Sequence, residues 1–117
     1  MIRNKTNGKI LARRVHYCDS FFTRGTGLMF RSHRAIDHTG WVFDMKATCH
    51  ITITMFFVFF PIDIVFLDAS HRITELHCNV RPFTNFSTEK PARYFIELQQ
   101  GTIDKASLAV GQHITFS

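Results

Sequence analysis

The chain has 117 residues, a formal net charge of +5, 45% hydrophobic residues and 20% charged residues. This length and balance predict a single domain over residues 1–117 and exclude a disordered chain, and a domain of this size can fold without disulfide bonds or structural metal. The longest apolar stretch, residues 51–67, is short for a membrane helix and is interrupted by Pro61 and Asp63, which excludes a transmembrane span. No secretory signal opens the chain, so we expect a cytoplasmic protein whose three cysteines stay reduced.

Basic residues are concentrated at the start of the chain. Residues 1–34 contain eight lysines and arginines against one acidic residue, Asp19, whereas the rest contains six basic and eight acidic residues. Such an excess of positive charge can attract phosphate groups, which leaves a nucleic-acid partner open. A solvated basic face explains the same charges more simply and is favoured.

The first half of the chain predicts short strands and one helix. Residues 9–15 and 41–45 fit strands, and Asp19 can cap a helix over residues 19–28. Residues 51–54 alternate between apolar and polar side chains, and residues 55–60 are apolar at every position. We therefore expect residues 55–60 to form a central strand or to lie under a protein interface, because such a segment on an open edge would promote aggregation.

The second half predicts a hairpin and further strands. Residues 62–68 form one strand, residues 69–71 turn, and residues 72–80 return. A long irregular connection over residues 81–91 is typical of a functional or mobile loop. A strand then carries Tyr94, Ile96 and Leu98 on one face, a short helix over residues 101–107 is capped by Thr102, and the last strand spans residues 112–116. The pattern predicts an all-β fold, a small β-barrel or jelly-roll-like sandwich with one or two short helices.

The order of several short motifs resembles a known family, domain of unknown function 192 (DUF192). These motifs are Gly27–Arg31, Pro61–Asp68, Asn79–Pro82, Pro91–Leu98, Gly101-Thr102 and Val110-Gly111, and the resemblance covers residues 9–116. It implies an all-β, barrel-like or jelly-roll-like fold with a short helix, and it implies no activity and no catalytic residues. Two positions depart from the family pattern: residues 54–58 replace a common Trp-Met-Lys-Asn-Thr segment, and His71 replaces a turn glycine.

Asp63 is the most informative candidate for a site. Alternation places it beside Val65 and Leu67 on one strand face, where an unpaired carboxylate would be costly to bury. Arg31, Arg93 or backbone N–H groups are its candidate partners. Two interpretations follow: Asp63 anchors a loop, which is favoured, or it is an acid with a perturbed pKa in a pocket. Arg31, Asp63 and Arg93 are the predicted ligand-binding residues.

Histidine and cysteine occur as neighbours at residues 16/18, 49/50 and 77/78. His77 and Cys78 are adjacent on a predicted strand and point to opposite faces, and the chain has no Cys-x-x-Cys motif, so we predict no metal site and no cofactor. No pattern selects one cysteine as a nucleophile.

Three functions stay open. The favoured one is a non-catalytic binding or accessory module for an unknown small molecule or protein partner. We expect a monomer or weak homodimer and no membrane partner. The alternatives are a small enzyme that uses Asp63 as an acid or base, and a nucleic-acid binder acting through the basic first third.

Overall fold

A computed structural model describes residues 1–18, 33–56 and 58–116. These residues form β-strands, one 3-10 turn at His33–Ile36 and one short α-helix, α1, at Thr102–Lys105. The strands are β1 Ile2–Asn4, β2 Ile10–Ala12, β3 Arg14–Cys18, β4 Thr39–Cys49, β5 Thr52–Thr54, β6 Ile62–Leu67, β7 Ile73–Val80, β8 Asn85–Ser87, β9 Ala92–Gln99 and β10 Ile114–Phe116. The all-β prediction with one or two short helices is confirmed for this part of the chain.

The strands assemble into three sheets. The largest has the order β3-β4-β9-β6-β7, a second has the order β10-β1-β2, and β5 pairs with β8. All pairs are antiparallel except β3 with β4. No sheet formed by the described residues closes into a barrel, so the sandwich-like alternative describes the fold.

Both faces of the five-stranded sheet are buried along β6. Strand β6 alternates between them, with Ile62, Ile64 and Phe66 in one apolar cluster and Val65 and Leu67 in the other. The three-stranded sheet packs on the second face, and side chains from residues 51–60 and the 3-10 turn pack on the first. Strands buried on both sides explain the near-continuous apolar sequence of β6.

Several predicted elements have different bounds. The strand expected over residues 9–15 is divided at Arg13 between β2 and β3, which belong to different sheets. Helix α1 is shorter than predicted, and its N-cap is Gly101, in a left-handed conformation with φ of 91°, instead of Thr102. The connection over residues 81–91 contains β8, and the last strand begins at Ile114. The helix predicted over residues 19–28 lies outside the described residues.

The central-strand prediction for residues 55–60 is wrong. The strand ends at Thr54, and the backbone then turns, with the N–H of Val58 donating to the carbonyl of Met55 at 3.2 Å. Met55, Val58 and Phe60 are buried, whereas Phe56 and Phe59 are exposed. The hairpin of β6 and β7 is confirmed, and His71 occupies the turn with φ of 67°, as its replacement of a glycine required.

Within the described ranges, no helix has the length and apolar character needed to cross a bilayer.

Candidate functional site

Asp63 joins three separate segments of backbone. Its side chain is only 1% exposed. One carboxylate oxygen accepts a hydrogen bond from the N–H of Asn79 at 2.9 Å, and the other accepts from Gly101 at 3.1 Å and Ile103 at 2.9 Å. A carboxylate that accepts several backbone N–H groups compensates for its burial. Asp63 therefore fixes the end of β7 and the start of α1 to β6, which supports the anchor interpretation.

Arg93 has a different partner. Its Nε donates to one oxygen of Asp44 at 2.7 Å and its Nη2 donates to the other at 3.3 Å, a bidentate pair. Burial opposes ionisation of Asp44, but hydrogen bonds from Arg93 and Lys46 outweigh it and hold the pKa of Asp44 below its ordinary value. Arg31, the third predicted ligand-binding residue, lies outside the described residues. The described contacts thus do not bring the predicted set together.

Glu97 is a buried acid that the sequence analysis missed. It lies in the middle of β9, paired with Trp41 of β4 on one side and Ile64 of β6 on the other. Its side chain is 7% exposed, and burial raises the pKa of Glu97 to about 8. No hydrogen bond among the described residues reaches its carboxyl group. The alternation of β9 shows which face Glu97 shares, but only the packing of the sheet reveals that Glu97 is buried.

A small cleft opens at the end of β9, beside α1. Its volume is about 240 Å³, and its polar lining comprises Arg13, His38, Thr39, Gln99, Thr102 and Lys105. The remaining lining residues are apolar, so no acidic residue is among the described residues that line the cleft. The cations Arg13 and Lys105 and the amide of Gln99 can donate hydrogen bonds to an anion, whereas the hydroxyls of Thr39 and Thr102 donate to the backbone carbonyls of Asp37 and Gln99.

The cleft is assembled from segments that are distant in sequence. The backbone N–H of Arg13 donates to the carbonyl of His38 at 3.0 Å, which fixes the β2–β3 junction to the start of β4. The hydroxyl of Thr102 donates to the carbonyl of Gln99 at 2.6 Å and ties α1 to the end of β9. Because Asp63 holds the backbone of Gly101 and Ile103, it positions the wall that presents Thr102 and Lys105.

On strand β9, Glu97 lies two residues before Gln99, which lines the cleft. Alternation therefore puts both side chains on the same face. Thr39 stands in the same relation to Trp41, the residue paired with Glu97. The buried acid therefore lies one cross-strand row inward from two lining residues.

The three cysteines, each near a histidine in the sequence, differ in exposure. Cys18 is buried, Cys49 is half-buried and Cys78 is exposed. No group of three or more metal-ligating side chains occurs in the described part of the chain. Local burial, together with the charges of Asp63 and Asp104, raises the pKa of Cys78, which keeps its thiol protonated and weakly nucleophilic.

The architecture defines a small all-β domain with an open sandwich of sheets. The model of the DUF192 family, described as "Uncharacterized ACR", matches residues 2–116, so the chain belongs to the DUF192 family. This confirms the resemblance drawn from the short motifs.

Relatives from archaea span the same region. A UPF0127 protein from Thermococcus sibiricus is 32% identical over 115 residues, covering 97% of this chain and 73% of that protein. A UPF0127 protein from Pyrococcus furiosus is 27% identical over 114 residues, covering 97% and 96% of the two chains.

Two crystal structures share the fold. A Novosphingobium aromaticivorans protein of unknown function has a TM-score of 0.86 at 20% identity, over 98% of this chain and 82% of that one. A candidate transcription regulator from Sinorhizobium meliloti has a TM-score of 0.79 at 26% identity, over 86% and 79% of the chains.

Proposed function

We propose that this protein is a binding module for a small anionic molecule and that the cleft at the end of β9 is its binding site. The observation that carries the proposal is the described lining, in which Arg13 and Lys105 border a volume of about 240 Å³ and no acidic residue occurs. A charged residue held beside polar groups in a concave site is the usual means of fixing a ligand's orientation. This proposal develops the binding-module function favoured by the sequence.

The size of the cleft restricts the ligand. Pockets for drug-sized molecules occupy about 300–1,000 Å³, so this cleft fits a small molecule or one end of a larger one. Arg13 can bind two oxygens of a phosphate or carboxylate in parallel, and Lys105 supplies a second positive charge. The proposed ligand class is a small phosphorylated or carboxylated metabolite.

A second candidate is a small enzyme in which Glu97 supplies or accepts a proton. The specific observation is that burial raises the pKa of Glu97 to about 8, near the value at which a general acid works best at neutral pH. Glu97 suits this role better than Asp63, because three backbone N–H groups already occupy the carboxylate of Asp63. A ligand in the cleft would lie one row from Glu97.

The binding proposal is tested by titrating the isotope-labelled protein with inorganic pyrophosphate while following backbone amide signals by NMR. We expect saturable shifts at residues 12–13, 38–39 and 102–105. Arg13→Gln and Lys105→Gln should each weaken binding about tenfold, since each removes a charged hydrogen-bond donor. Arg14→Gln is a matched control, because Arg14 is exposed and lies outside the cleft lining.

Two outcomes would refute the proposal. One is the absence of saturable shifts at millimolar pyrophosphate, malonate and citrate. The other is binding that Arg13→Gln and Lys105→Gln leave unchanged. Short duplex DNA serves as a further probe: if DNA binds with a steep salt dependence and Arg14→Gln weakens it as much as Arg13→Gln, the basic first third acts on nucleic acid and the cleft is not the site.

A further inference from the structure

Three phenylalanine rings are exposed together at one place on the surface. Phe56, Phe59 and Phe83 are 47%, 58% and 53% exposed. The ring of Phe83 lies 6.4 Å from that of Phe56 and 5.8 Å from that of Phe59, centroid to centroid, with edge-to-face geometry. We call these three residues the phenylalanine patch. A contiguous aromatic surface of this kind marks a binding surface more often than a single exposed ring does.

The patch lies at the tip of a narrow ribbon. Thr54 and Asn85 form the last pair of the β5–β8 ribbon, and both patch-bearing segments continue beyond that end. The N–H of Met55 donates to the carbonyl of Thr84 at 2.8 Å, and the N–H of Phe83 donates to the carbonyl of Met55 at 2.9 Å. Met55 is fully buried. The rings are therefore presented outward by a hydrogen-bonded backbone that is anchored in the core.

Phe83 occupies a backbone conformation that a bulky residue rarely adopts. Its φ is 61°, in the left-handed region, where a side chain other than that of glycine, asparagine or aspartate carries a steric cost. Such strain persists where the surrounding structure imposes it, and it is concentrated at functional positions. Phe83 is more than half exposed, so its burial in the folded monomer offsets this cost only in part.

The two chain segments that carry the patch contain one positive charge and no acidic residue. In the sequence of residues 51–60 and 81–88 the only lysine, arginine, aspartate or glutamate is Arg81, which is exposed. The chain as a whole carries a net charge of +5. A partner that accepts aromatic side chains and carries negative charge is complementary to this tip.

We propose that the phenylalanine patch inserts into the interfacial region of an anionic lipid bilayer. A phenylalanine side chain has a surface of about 150–250 Å², so three half-exposed rings together present about 300 Å². Two copies of the patch packed against each other would bury about 600 Å², well below the roughly 1,200 Å² of a small specific protein interface. A soft, flat, negatively charged surface can accept three rings at a ribbon tip without further contacts. Residues 51–67 are too short and too interrupted to span a bilayer, which is why no membrane partner is predicted from the sequence; contact with a bilayer surface needs no spanning segment.

The test is co-sedimentation of the full chain with phosphatidylcholine vesicles, with and without phosphatidylserine. We expect binding to vesicles that contain phosphatidylserine. Each of Phe56→Ser, Phe59→Ser and Phe83→Ser should lower the partition coefficient about 3- to 10-fold, the effect of withdrawing about half a ring from the bilayer. Arg81→Gln should lower binding about fivefold on anionic vesicles only.

Val110→Ser is the matched control, because Val110 is also 58% exposed but lies outside the patch. Circular dichroism and urea unfolding should show that the three phenylalanine variants keep the wild-type fold. The proposal is overturned if the wild type fails to sediment with anionic vesicles, or if the triple phenylalanine variant sediments as well as the wild type. A concentration-dependent dimer in analytical ultracentrifugation that the triple variant abolishes would also overturn it, in favour of a protein interface at the patch.

Discussion

Replacement of Glu97 by glutamine removes the buried acid while keeping its shape. Glu97 is 7% exposed and lies between Trp41 and Ile64, and burial raises its pKa to about 8 from an ordinary value of 4.5. At neutral pH the folded protein therefore holds a protonated carboxyl group at this position. Glutamine is also neutral and nearly isosteric, so Glu97→Gln reproduces the protonated state at every pH.

The sign and size of the effect follow from the two pKa values. Because the folded state binds the proton of Glu97 more tightly than the unfolded state does, the free energy of unfolding falls as pH rises from 4.5 to about 8. One pKa unit corresponds to about 1.4 kcal/mol, so the wild type should lose about 3 kcal/mol relative to Glu97→Gln between about pH 5 and about pH 8. This trend is opposite to that of a carboxylate stabilised in its ionised form.

Other groups titrate with the opposite trend, and the comparison cancels them. The pKa values of Asp44 and Glu75 are lowered, so their contributions are lost only as the pH falls through the acid range. Burial, with a smaller effect from His113, lowers the pKa of His71, so protonation of His71 reduces stability below its ordinary value of 6.5. All of these groups are unchanged in Glu97→Gln, so the difference between the two proteins reports on Glu97.

The assays are urea unfolding and thermal melts of both proteins across this pH range, with Glu89→Gln as the control because Glu89 is an exposed carboxyl group. The variant should be about 10 °C more stable to heat, relative to wild type, at pH 8 than at pH 5, since 1 kcal/mol corresponds to about 3–5 °C for a domain of this size. Parallel pH profiles for wild type and Glu97→Gln would refute the reasoning. They would mean that Glu97 is ionised and hydrated in the folded protein, and the enzyme candidate built on its proton would lose its support.

Two further substitutions test the framework around the cleft. Asp63→Ala should lower the free energy of unfolding by at least about 3 kcal/mol, because three backbone N–H groups lose their acceptor, and Asp63→Asn should cost roughly half as much; urea unfolding at neutral pH measures both, and an Asp63→Asn variant more stable than wild type would contradict the anchor. Gly40→Ala should cost about 1–3 kcal/mol, because a Cβ there would overlap Cδ1 of Ile2 and lie 3.2 Å from Cδ2 of Leu98. Ile2→Val removes that Cδ1, so the double variant should show a smaller Gly40→Ala penalty, and simple additivity would argue against the overlap.

The sequence by itself determined the strands whose pattern repeats every two residues. β6, β7 and β9 appear close to their predicted bounds, and the predicted face of Tyr94, Ile96 and Leu98 packs in one cluster. The sequence also identified Asp63 as a buried polar group that needs partners, because a carboxylate between apolar neighbours is costly unless hydrogen-bonded. Alternation is a local property of the backbone, so residues within one strand carry enough information to reveal it.

Tertiary structure decided the features that depend on what covers each strand. Residues 55–60 are apolar throughout, which is equally compatible with a strand and with a turn. The structure has a turn, in which Met55, Val58 and Phe60 are buried and the two patch residues Phe56 and Phe59 are exposed. Alternation puts Glu97 on the face opposite Ile96, yet only the packing of the sheet buries its side chain. The cleft brings Arg13 together with Gln99 and Lys105, which lie more than eighty residues further along the chain. Burial and proximity of this kind arise from long-range pairing, which the local pattern permits but does not specify.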